Sequence, residues 1–265
     1  MDKIFVESKL LKELKVTHGF FTRNGGCSTS VHHSLNCKFD NGDSKENVEQ
    51  NLKIVAQCFS LDIYNFTLLK QIHSNKVAKA NNSINELEGD AILADDPGSL
   101  IGIVTADCVP ILLWDDINKI AMALHAGWKG AYSGIIENSI SKIKKLGKSK
   151  IYAAIGPCIQ QRNYEVDEKF RMLFIEQNSE NKKYFINADN KGKFLFDLPK
   201  YCYDKLHSYG VTNIDDLKMD TYSNPKNFFS CRRAYHNEEK NFGRQISVIS
   251  PLKFDTSFAS KKIIE

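Results

Sequence analysis

Apolar residues follow two patterns along the chain, and each pattern predicts a different kind of element. Short runs that are continuously apolar, or that alternate with polar residues, predict strands where turn-forming residues bound them. Such runs are densest in the middle of the chain, in "LIGIVT", "ILLW" and "KIAMAL". The predicted strands are 3–6, 18–22, 66–73, 100–105, 111–114, 119–124, 150–158, 214–219, 227–230 and 245–250.

Apolar residues at helical spacing predict four helices. The first covers 42–59, where Asp43 is a candidate cap and Glu46 follows three residues later, as in a capping box. The second covers 131–147 and is expected to stop at Gly147. Their predicted buried positions are Val48, Leu52, Val55 and Phe59 in the first helix and Ile136, Ile140, Ile143 and Leu146 in the second. The other two helices are predicted at about 166–178 and 199–209.

The order of these elements favours an α/β (α+β) fold with mixed β-sheets over a doubly wound sheet. Neither the dinucleotide fingerprint GxGxxG nor the phosphate-binding motif GxxxxGK[ST] occurs in the sequence. The chain contains no internal repeat and no linker rich in Pro, Gly or Ser. We therefore expect a single domain over residues 1–265.

Composition narrows the setting in which the protein works. Of its 265 residues 42% are hydrophobic, enough for one large core or two modest ones. The net charge is +4, and the one basic run, 141–150, is interpreted as a solvated helix end, so no nucleic-acid partner is expected. No apolar stretch approaches the roughly 20 residues of a membrane span. Seven cysteines without a CxxC pair, and no signal-peptide pattern, predict a cytoplasmic protein with reduced thiols.

One histidine stands where a buried strand gives way to a glycine-rich turn, in "LHAGWKG". If the four-residue turn "DDIN" joins the strands before and after it, the hairpin register places Cys108 opposite His125. Pro110 could end the ladder early, yet both residues belong to the same open end of the hairpin. His73 ends another predicted strand, and its imidazole can reach the same place if that strand lies nearby.

Two imidazoles and one thiolate suit Zn²⁺, with the fourth position left to water or substrate, as in catalytic zinc sites. Asp107 is then a candidate partner of a ligand or a proton acceptor. The spacing matches no zinc signature. A lone histidine at a strand end is usually a hydrogen-bonded structural residue, and a lone cysteine in an apolar run is usually a small core residue. A further alternative makes Cys108 a nucleophile with a histidine base.

Several blocks of this sequence resemble the motifs of the YfiH family. They are "TADCVPILL", "LHAGWKG", "QIHSNKV" and "IGPCI", together with "GFFTRNGGCS", "SLNCKFDNGDSKENVEQN" and "FFSCRRA…FGRQISVI". The resemblance runs through nearly the whole chain and implies a mixed α/β sandwich flanked by helices. It also implies one Zn²⁺ per chain, held by His73, Cys108 and His125. The chain departs from the family pattern at Lys129, at Gln160 and in a longer 234–242 segment.

Members of the family are labelled purine nucleoside phosphorylase, polyphenol oxidase or peptidoglycan editing factor. The first label implies phosphorolysis of adenosine, inosine, guanosine and methylthioadenosine, with deamination of adenosine, so the expected partners are a nucleoside and phosphate. The candidate catalytic residues are Cys108, Asp107 and His125, and the candidate substrate and phosphate ligands are Arg23, Ser28, Asn36, Arg233 and Arg244. Cys158 either lines the pocket or is a core thiol.

Three other functions stay open at this point. A multicopper oxidase is disfavoured because its copper centres need many histidines, and this chain has seven, with His32 and His33 as the one close pair. A zinc amide hydrolase could remove misincorporated serine from a nucleotide-linked muramyl precursor. A non-catalytic, zinc-bound nucleotide-binding protein is the third alternative.

Overall fold

The computed structural model describes residues 4–251 and is built around two six-stranded mixed sheets. In spatial order the first sheet contains β1 (Phe5–Val6), β2 (His18–Phe21), β15 (Gln245–Ile249), β7 (Leu100–Thr105), β3 (Phe66–Lys70) and β5 (Ile84–Glu88). In this sheet β3 pairs in parallel with β5 and β7, and the other neighbours are antiparallel.

The second sheet is mixed in the same way, with its two parallel pairs at its edges. In spatial order it contains β14 (Asn213–Asp216), β10 (Ile151–Ile155), β8 (Val109–Asp115), β9 (Ile120–Ala126), β6 (Ala91–Ala94) and β4 (Val77–Lys79). A small third sheet contains β11 (Glu165–Asp167), β13 (Lys193–Phe196) and β12 (Phe185–Asn187).

The two large sheets pack face to face, and helices cover their outer faces. Alternate residues of each strand point to opposite faces, so Leu112 and Trp114 lie between the sheets with Ile101 and Ile103, whereas Leu113 faces the helices. The helices are α1 (Lys9–Glu13), α2 (Lys45–Gln57), α3 (Trp128–Tyr132), α4 (Ile135–Lys144), α5 (Glu168–Gln177), α6 (Leu198–Ser208) and α7 (Cys231–His236). Helix α2 covers the first sheet, and α4 and α6 cover the second. The predicted mixed α/β sandwich is thereby confirmed.

Several predicted element boundaries are wrong for identifiable reasons. Ser44 caps α2 through a 3.1 Å bond from the Asn47 amide, because the Asp43 carboxylate is held by Ser28 and its neighbours. The predicted helix 131–147 breaks at Gly134, whose φ of 94° is left-handed, and α4 ends before Leu146, which is exposed. The predicted strand 227–230 is irregular, since its backbone bonds to side chains of Gln245 and Arg233.

The register predicted for the central hairpin is also wrong, by two residues. His125 pairs with Pro110, and Cys108 lies just beyond the ladder. The turn is displaced because Lys119 has a left-handed φ of 55° and cannot start the strand, and because Asp115 accepts the Ile117 amide at 3.1 Å. The prediction that both ligands lie at the open end of the hairpin survives this shift.

Within residues 4–251, every helix is too short or too polar to cross a lipid bilayer.

Candidate metal centre

Two loops and one strand end bring the predicted ligands together. His73 lies in the loop after β3, Cys108 in the turn between β7 and β8, and His125 near the end of β9. One ligand atom from each lies within 4.8 Å of the others, and the two imidazole centroids are 4.8 Å apart at an angle of 81°. Strand β3 stops at Lys70, so His73 follows the strand instead of ending it, with a left-handed φ of 57°.

The side chain of Gln71 brings the His73 loop to the turn that carries Cys108. Its amide donates to the Val104 carbonyl and accepts the Val104 N–H, both at 2.8 Å. These two bonds imitate a continued strand pair beyond the end of β3. The loop is therefore fixed against β7 two residues before the histidine ligand.

The close packing around Gly127 explains why a glycine follows the histidine motif. A Cβ at this position would lie 2.9 Å from the Cδ2 of His73 and 3.1 Å from the Sγ of Cys108. The backbone itself has φ −68° and ψ 162°, which any residue can adopt. The glycine is therefore needed for space beside the ligands, and the chain then turns directly into α3.

Asp90 is a buried carboxylate that orients two of the three ligands, and the sequence did not reveal it. Its Oδ1 accepts from Nδ1 of His125 at 2.8 Å and from the His73 amide at 3.0 Å, while Oδ2 accepts the Ser74 amide at 2.6 Å. A carboxylate that holds one ring nitrogen of a histidine directs the other nitrogen toward a metal. The one sequence clue is its place immediately before the buried strand β6.

Charge in the centre favours the ligand form of Cys108. Burial raises the pKa of its thiol, but the imidazoles of His125 and His73 outweigh burial and lower that pKa to about 6. Burial lowers the pKa of His125, whereas Cys108 and Asp90 raise it to about 9. Burial also raises the pKa of Asp90, yet its bonds from His125 and Ser74 bring it to about 2. Adjacent thiolate, imidazole and carboxylate groups are the donors that a divalent metal such as Zn²⁺ selects.

The ligand trio faces a cavity of about 220 Å³, which leaves room for a fourth ligand. Three protein ligands beside an accessible cavity are typical of catalytic zinc sites, whereas structural sites use four protein ligands. The cavity is lined by Lys38, Gln71, His73, Val104, Thr105, Ala106, Cys108, His125, Cys231, Phe242 and Arg244. The trio is the one group of three or more His, Cys, Asp or Glu side chains among residues 4–251 that is placed to share a metal ion.

Asp107 lies beside Cys108 but faces away from the trio. Its carboxylate accepts from the Thr221 hydroxyl at 2.6 Å, the Ser230 hydroxyl at 2.9 Å and the Arg232 amide at 2.7 Å. Burial raises the pKa of this carboxyl, and those three bonds oppose the increase. Asp107 therefore ties the start of α7 to the Cys108 turn, and this geometry favours a positioning role over proton transfer.

Of the predicted phosphate ligands, Arg244 alone lines the metal cavity. Arg23 and Arg233 line a separate cavity of about 270 Å³, divided from the first by Phe242. Their guanidinium groups donate to backbone carbonyls: Arg23 to His33 at 2.7 Å and Arg233 to Thr221 at 2.8 Å. Both arginines therefore brace the loops around the site.

Ser28 and Asn36 belong to a buried polar network outside the cavity. Ser28 donates to Asp43 at 2.6 Å, and Asn36 donates to the same carboxylate at 2.8 Å. The Oδ1 of Asn36 accepts the Lys38 amide at 3.2 Å and the Arg244 amide at 3.0 Å. Asn36 thus positions the backbone of two cationic residues that do line the cavity.

Lys38 and Thr105 are two further cavity residues that sequence reasoning missed, although both lie in the quoted motif blocks. Cys158 is packed in the core behind the second sheet, and the 234–242 segment contributes Phe242 to the cavity wall. A separate and larger groove of about 750 Å³ shares no lining residue with the metal cavity, and its lining includes Trp128, Tyr164, Phe170 and Arg232.

Comparison of the sequence with known proteins finds relatives of similar length. A Rickettsia prowazekii protein named purine nucleoside phosphorylase RP494 is 35% identical over 217 residues, covering 78% of this chain and 90% of that protein. An Escherichia coli K12 protein named purine nucleoside phosphorylase YfiH is 31% identical over 229 residues, covering 86% of this chain and 90% of that protein.

Solved structures share the fold over most of the chain. Neisseria meningitidis protein NMB0706 superposes with a TM-score of 0.81 at 30% identity, covering 94% of this chain and 99% of that one. Bacillus licheniformis hypothetical protein YfiH gives a TM-score of 0.82 at 28% identity, covering 91% and 94%. Residues 17–251 match the family described as multi-copper polyphenol oxidoreductase laccase. The chain therefore belongs to this laccase-like family, of which the YfiH proteins are members.

Proposed function

We propose that this protein is a zinc-dependent purine nucleoside phosphorylase. The observation that carries the proposal is the trio His73, Cys108 and His125, which faces a cavity that also contains the guanidinium of Arg244. An electrophilic metal beside a cation is suited to a reaction in which an anion attacks a sugar carbon. The names of the Rickettsia and Escherichia relatives support the same reaction class.

In phosphorolysis, a phosphate oxygen forms a bond to the ribosyl C1′ while the bond from C1′ to the purine nitrogen breaks. The products are a pentose 1-phosphate and the free base, which takes up a proton. When bound, Zn²⁺ supplies Lewis acidity, which stabilises anionic charge and makes water acidic enough to act as a nucleophile. Arg244 binds the anion, and Asp90 keeps His125 in the orientation needed for its ligand role.

The purine has a suitable surface in the larger groove that Trp128 lines. Trp128 and Phe170 meet edge to face at 5.0 Å, and the guanidinium carbon of Arg232 lies 5.4 Å from the ring centre of Tyr164. Aromatic rings with half-exposed faces suit stacking on a flat base. At about 750 Å³ the groove falls in the range of roughly 300–1,000 Å³ that is typical of sites for ligands of this size.

The proposed substrates of phosphorolysis are adenosine, inosine, guanosine and methylthioadenosine. Deamination of adenosine is proposed as a second activity of the same centre. Deamination exchanges the 6-amino group for an oxygen from water and releases ammonia. It requires no phosphate, so the two reactions separate experimentally when phosphate is omitted. When phosphate is omitted, the protein is expected to convert adenosine to inosine.

Laccase chemistry is not part of this proposal, although the family description carries that word. The equatorial set of a blue-copper site is also two histidines and one cysteine, but such sites usually add a weak axial methionine. The residues around the cavity include no methionine. Metal analysis and the visible spectrum of the purified protein decide between zinc and copper.

An amide hydrolase is the second candidate, favoured by the size of the groove. At about 750 Å³ the groove leaves room for more than the purine base, so a larger precursor such as a nucleotide-linked muramyl peptide would fit. Lys169, Lys193 and Arg232 line it together with Glu165, Asp167 and Glu176, and the three basic side chains are available to an anionic part of such a substrate. In that reaction water cleaves the amide that attaches a misincorporated serine. A muramyl substrate that turns over where nucleosides do not would favour this function.

The first experiment is elemental analysis of untagged protein combined with nucleoside assays. We expect near one zinc per chain and release of hypoxanthine from inosine that depends on phosphate. Cys108→Ala should lose the zinc. Its turnover should fall by more than roughly 100-fold, which is the upper end of the effect seen when a residue that only supports a metal ligand is replaced. Cys27→Ala removes an exposed thiol outside the cavity and is the matched control.

Other outcomes would change the proposal in defined ways. Base release or deamination without phosphate would keep the metal centre and change the reaction. Zinc without nucleoside turnover would favour the muramyl amide or, if that is also inert, a non-catalytic nucleotide-binding protein. Full activity of protein stripped of metal would overturn the zinc assignment and make Cys108 a candidate nucleophile.

A further inference from the structure

One wall of the metal cavity contains a buried hydroxyl that has no partner in the protein. Thr105 ends β7, is 2% exposed and lines the cavity, and its Oγ1 forms no hydrogen bond within residues 4–251. Buried polar atoms nearly always have a partner, and an exception calls for a ligand or an ordered water. Thr105 lines the metal cavity, which is therefore the space adjacent to this hydroxyl.

Two cationic side chains reach the same cavity. Over the described part of the chain, neither the ammonium of Lys38 nor the guanidinium of Arg244 forms a hydrogen bond or an ion pair. Arg244 packs over the ring of Phe242 at 4.8 Å, and Asp40 is an acidic neighbour of Lys38 that does not pair with it. Two like charges in one partly buried space repel each other unless negative charge lies nearby. The thiols of Cys231 and Cys108 supply some at Arg244, and an anion between the two cations would supply more.

The fold holds these two cations together. The carbonyl of Arg244 accepts the Cys37 amide at 3.0 Å, and Oδ1 of the fully buried Asn36 accepts the amides of both Arg244 and Lys38. The repulsion between the side chains is therefore imposed by a fixed backbone arrangement. Gln71, by contrast, has its side-chain oxygen and one of its two amide N–H groups engaged with Val104, so its side chain is held in place by that strand.

From these contacts we infer that Thr105, Lys38 and Arg244 form a subsite for a phosphate-class oxyanion beside the metal trio. The hydroxyl donates one hydrogen bond, and the two cations supply charge-assisted bonds. A cavity of about 220 Å³ is smaller than sites for whole drug-sized ligands and matches a small ion next to a metal. This inference rests on the proposed function in one respect, because it identifies the oxyanion as the phosphate that attacks C1′.

The test is a titration of the zinc-loaded protein with inorganic phosphate, in which binding is measured by calorimetry. Thr105→Val keeps the shape of the side chain and removes its hydroxyl, and we expect roughly tenfold weaker phosphate binding or more, the effect of one hydrogen bond to a charged group. Lys38→Gln and Arg244→Gln should weaken binding at least as much. Thr105→Ser retains a hydroxyl and should bind phosphate nearly as well as the native protein.

Matched controls separate a local effect from a general one. Thr212→Val makes the same change at an exposed position and should leave phosphate affinity unchanged. Zinc content is measured in every variant, so loss of metal is not mistaken for loss of the subsite. In steady-state kinetics, the three cavity variants should raise the KM for phosphate while the KM for inosine stays within about twofold.

The possible results distinguish this subsite from the proposed reaction. Equal phosphate affinity in the native protein and all three variants would overturn the subsite, even if the protein proves to be a phosphorylase. Variant-sensitive phosphate binding without any phosphorolysis would support the subsite and reject the reaction. Parallel titrations with a pentose 1-phosphate and with inorganic diphosphate show which phosphate source the subsite prefers.

Discussion

At the scale of single residues, the three side chains that gather at the candidate metal centre could be predicted from the sequence, but the groups that orient them could not. A histidine or cysteine at a strand end is visible in the motif, whereas the function of Asp90 depends on where three loops meet. Its two oxygens accept amides of His73 and Ser74 and the imidazole of His125, contacts that arise after folding. The role inferred for Thr105 likewise depends on the cavity that it lines, which no local sequence pattern predicts.

Asp90→Asn is expected to weaken zinc binding by about 10–100-fold while the protein remains folded. The amide keeps the size of the side chain but loses the charge, and its NH₂ group would face N–H donors of the loop around His73. Zinc affinity is measured by competition with a chelator. Asp115→Asn replaces a buried carboxylate in the β8–β9 turn and should leave zinc affinity unchanged. Equal zinc affinities for Asp90→Asn and the native protein would show that the carboxylate does not support the ligands.

At the scale of elements, long apolar runs were predictable and short strands were not. Strands β7, β8 and β9 have six or seven residues, nearly all buried, and their pattern is unmistakable. The strands of the small sheet have three or four residues and mixed polarity, and their pairing decides their structure. The predicted β8–β9 register was wrong by two residues because a side-chain bond and one left-handed residue decide where the turn lies.

The junction of β9 and α3 allows a purely steric test of the metal centre. Gly127→Ala is compatible with the backbone angles, but its methyl group would press against His73 and Cys108. We expect at least a tenfold loss of zinc affinity and about 1–3 kcal/mol of destabilisation, as for overpacking elsewhere. Gly98→Ala makes the same change where the nearest atom is 3.5 Å away, and it should be close to neutral in both measurements. An alanine at 127 that binds zinc normally would mean that the ligands do not lie as close as this geometry requires.

At the scale of the whole molecule, the two large sheets are joined at one end by a buried histidine. The Nε2 of His18, in β2 of the first sheet, accepts the Ser8 amide at 2.9 Å, so the Nδ1–H donates to the Val16 carbonyl at 2.8 Å. The Ser8 hydroxyl in turn donates to Asp215, in β14 of the second sheet, at 2.7 Å. The sequence marks His18 only as part of an apolar strand, since the link depends on how the sheets stack.

This arrangement predicts how the free energy of unfolding depends on pH. Burial lowers the pKa of His18 in the folded state, and a proton on Nε2 would face the Ser8 N–H. In the unfolded chain His18 takes up a proton near pH 6.5. The stability that neutral His18 contributes is therefore complete above that pH and is lost as the pH falls, by at most about 1.4 kcal/mol per pH unit. His18→Gln should be less stable at pH 8 but should lose less stability between pH 7 and 5.5. Urea unfolding of both proteins in a Cys108→Ala background removes the contribution of zinc release. Parallel pH profiles would show that His18 takes up no proton on unfolding in that range.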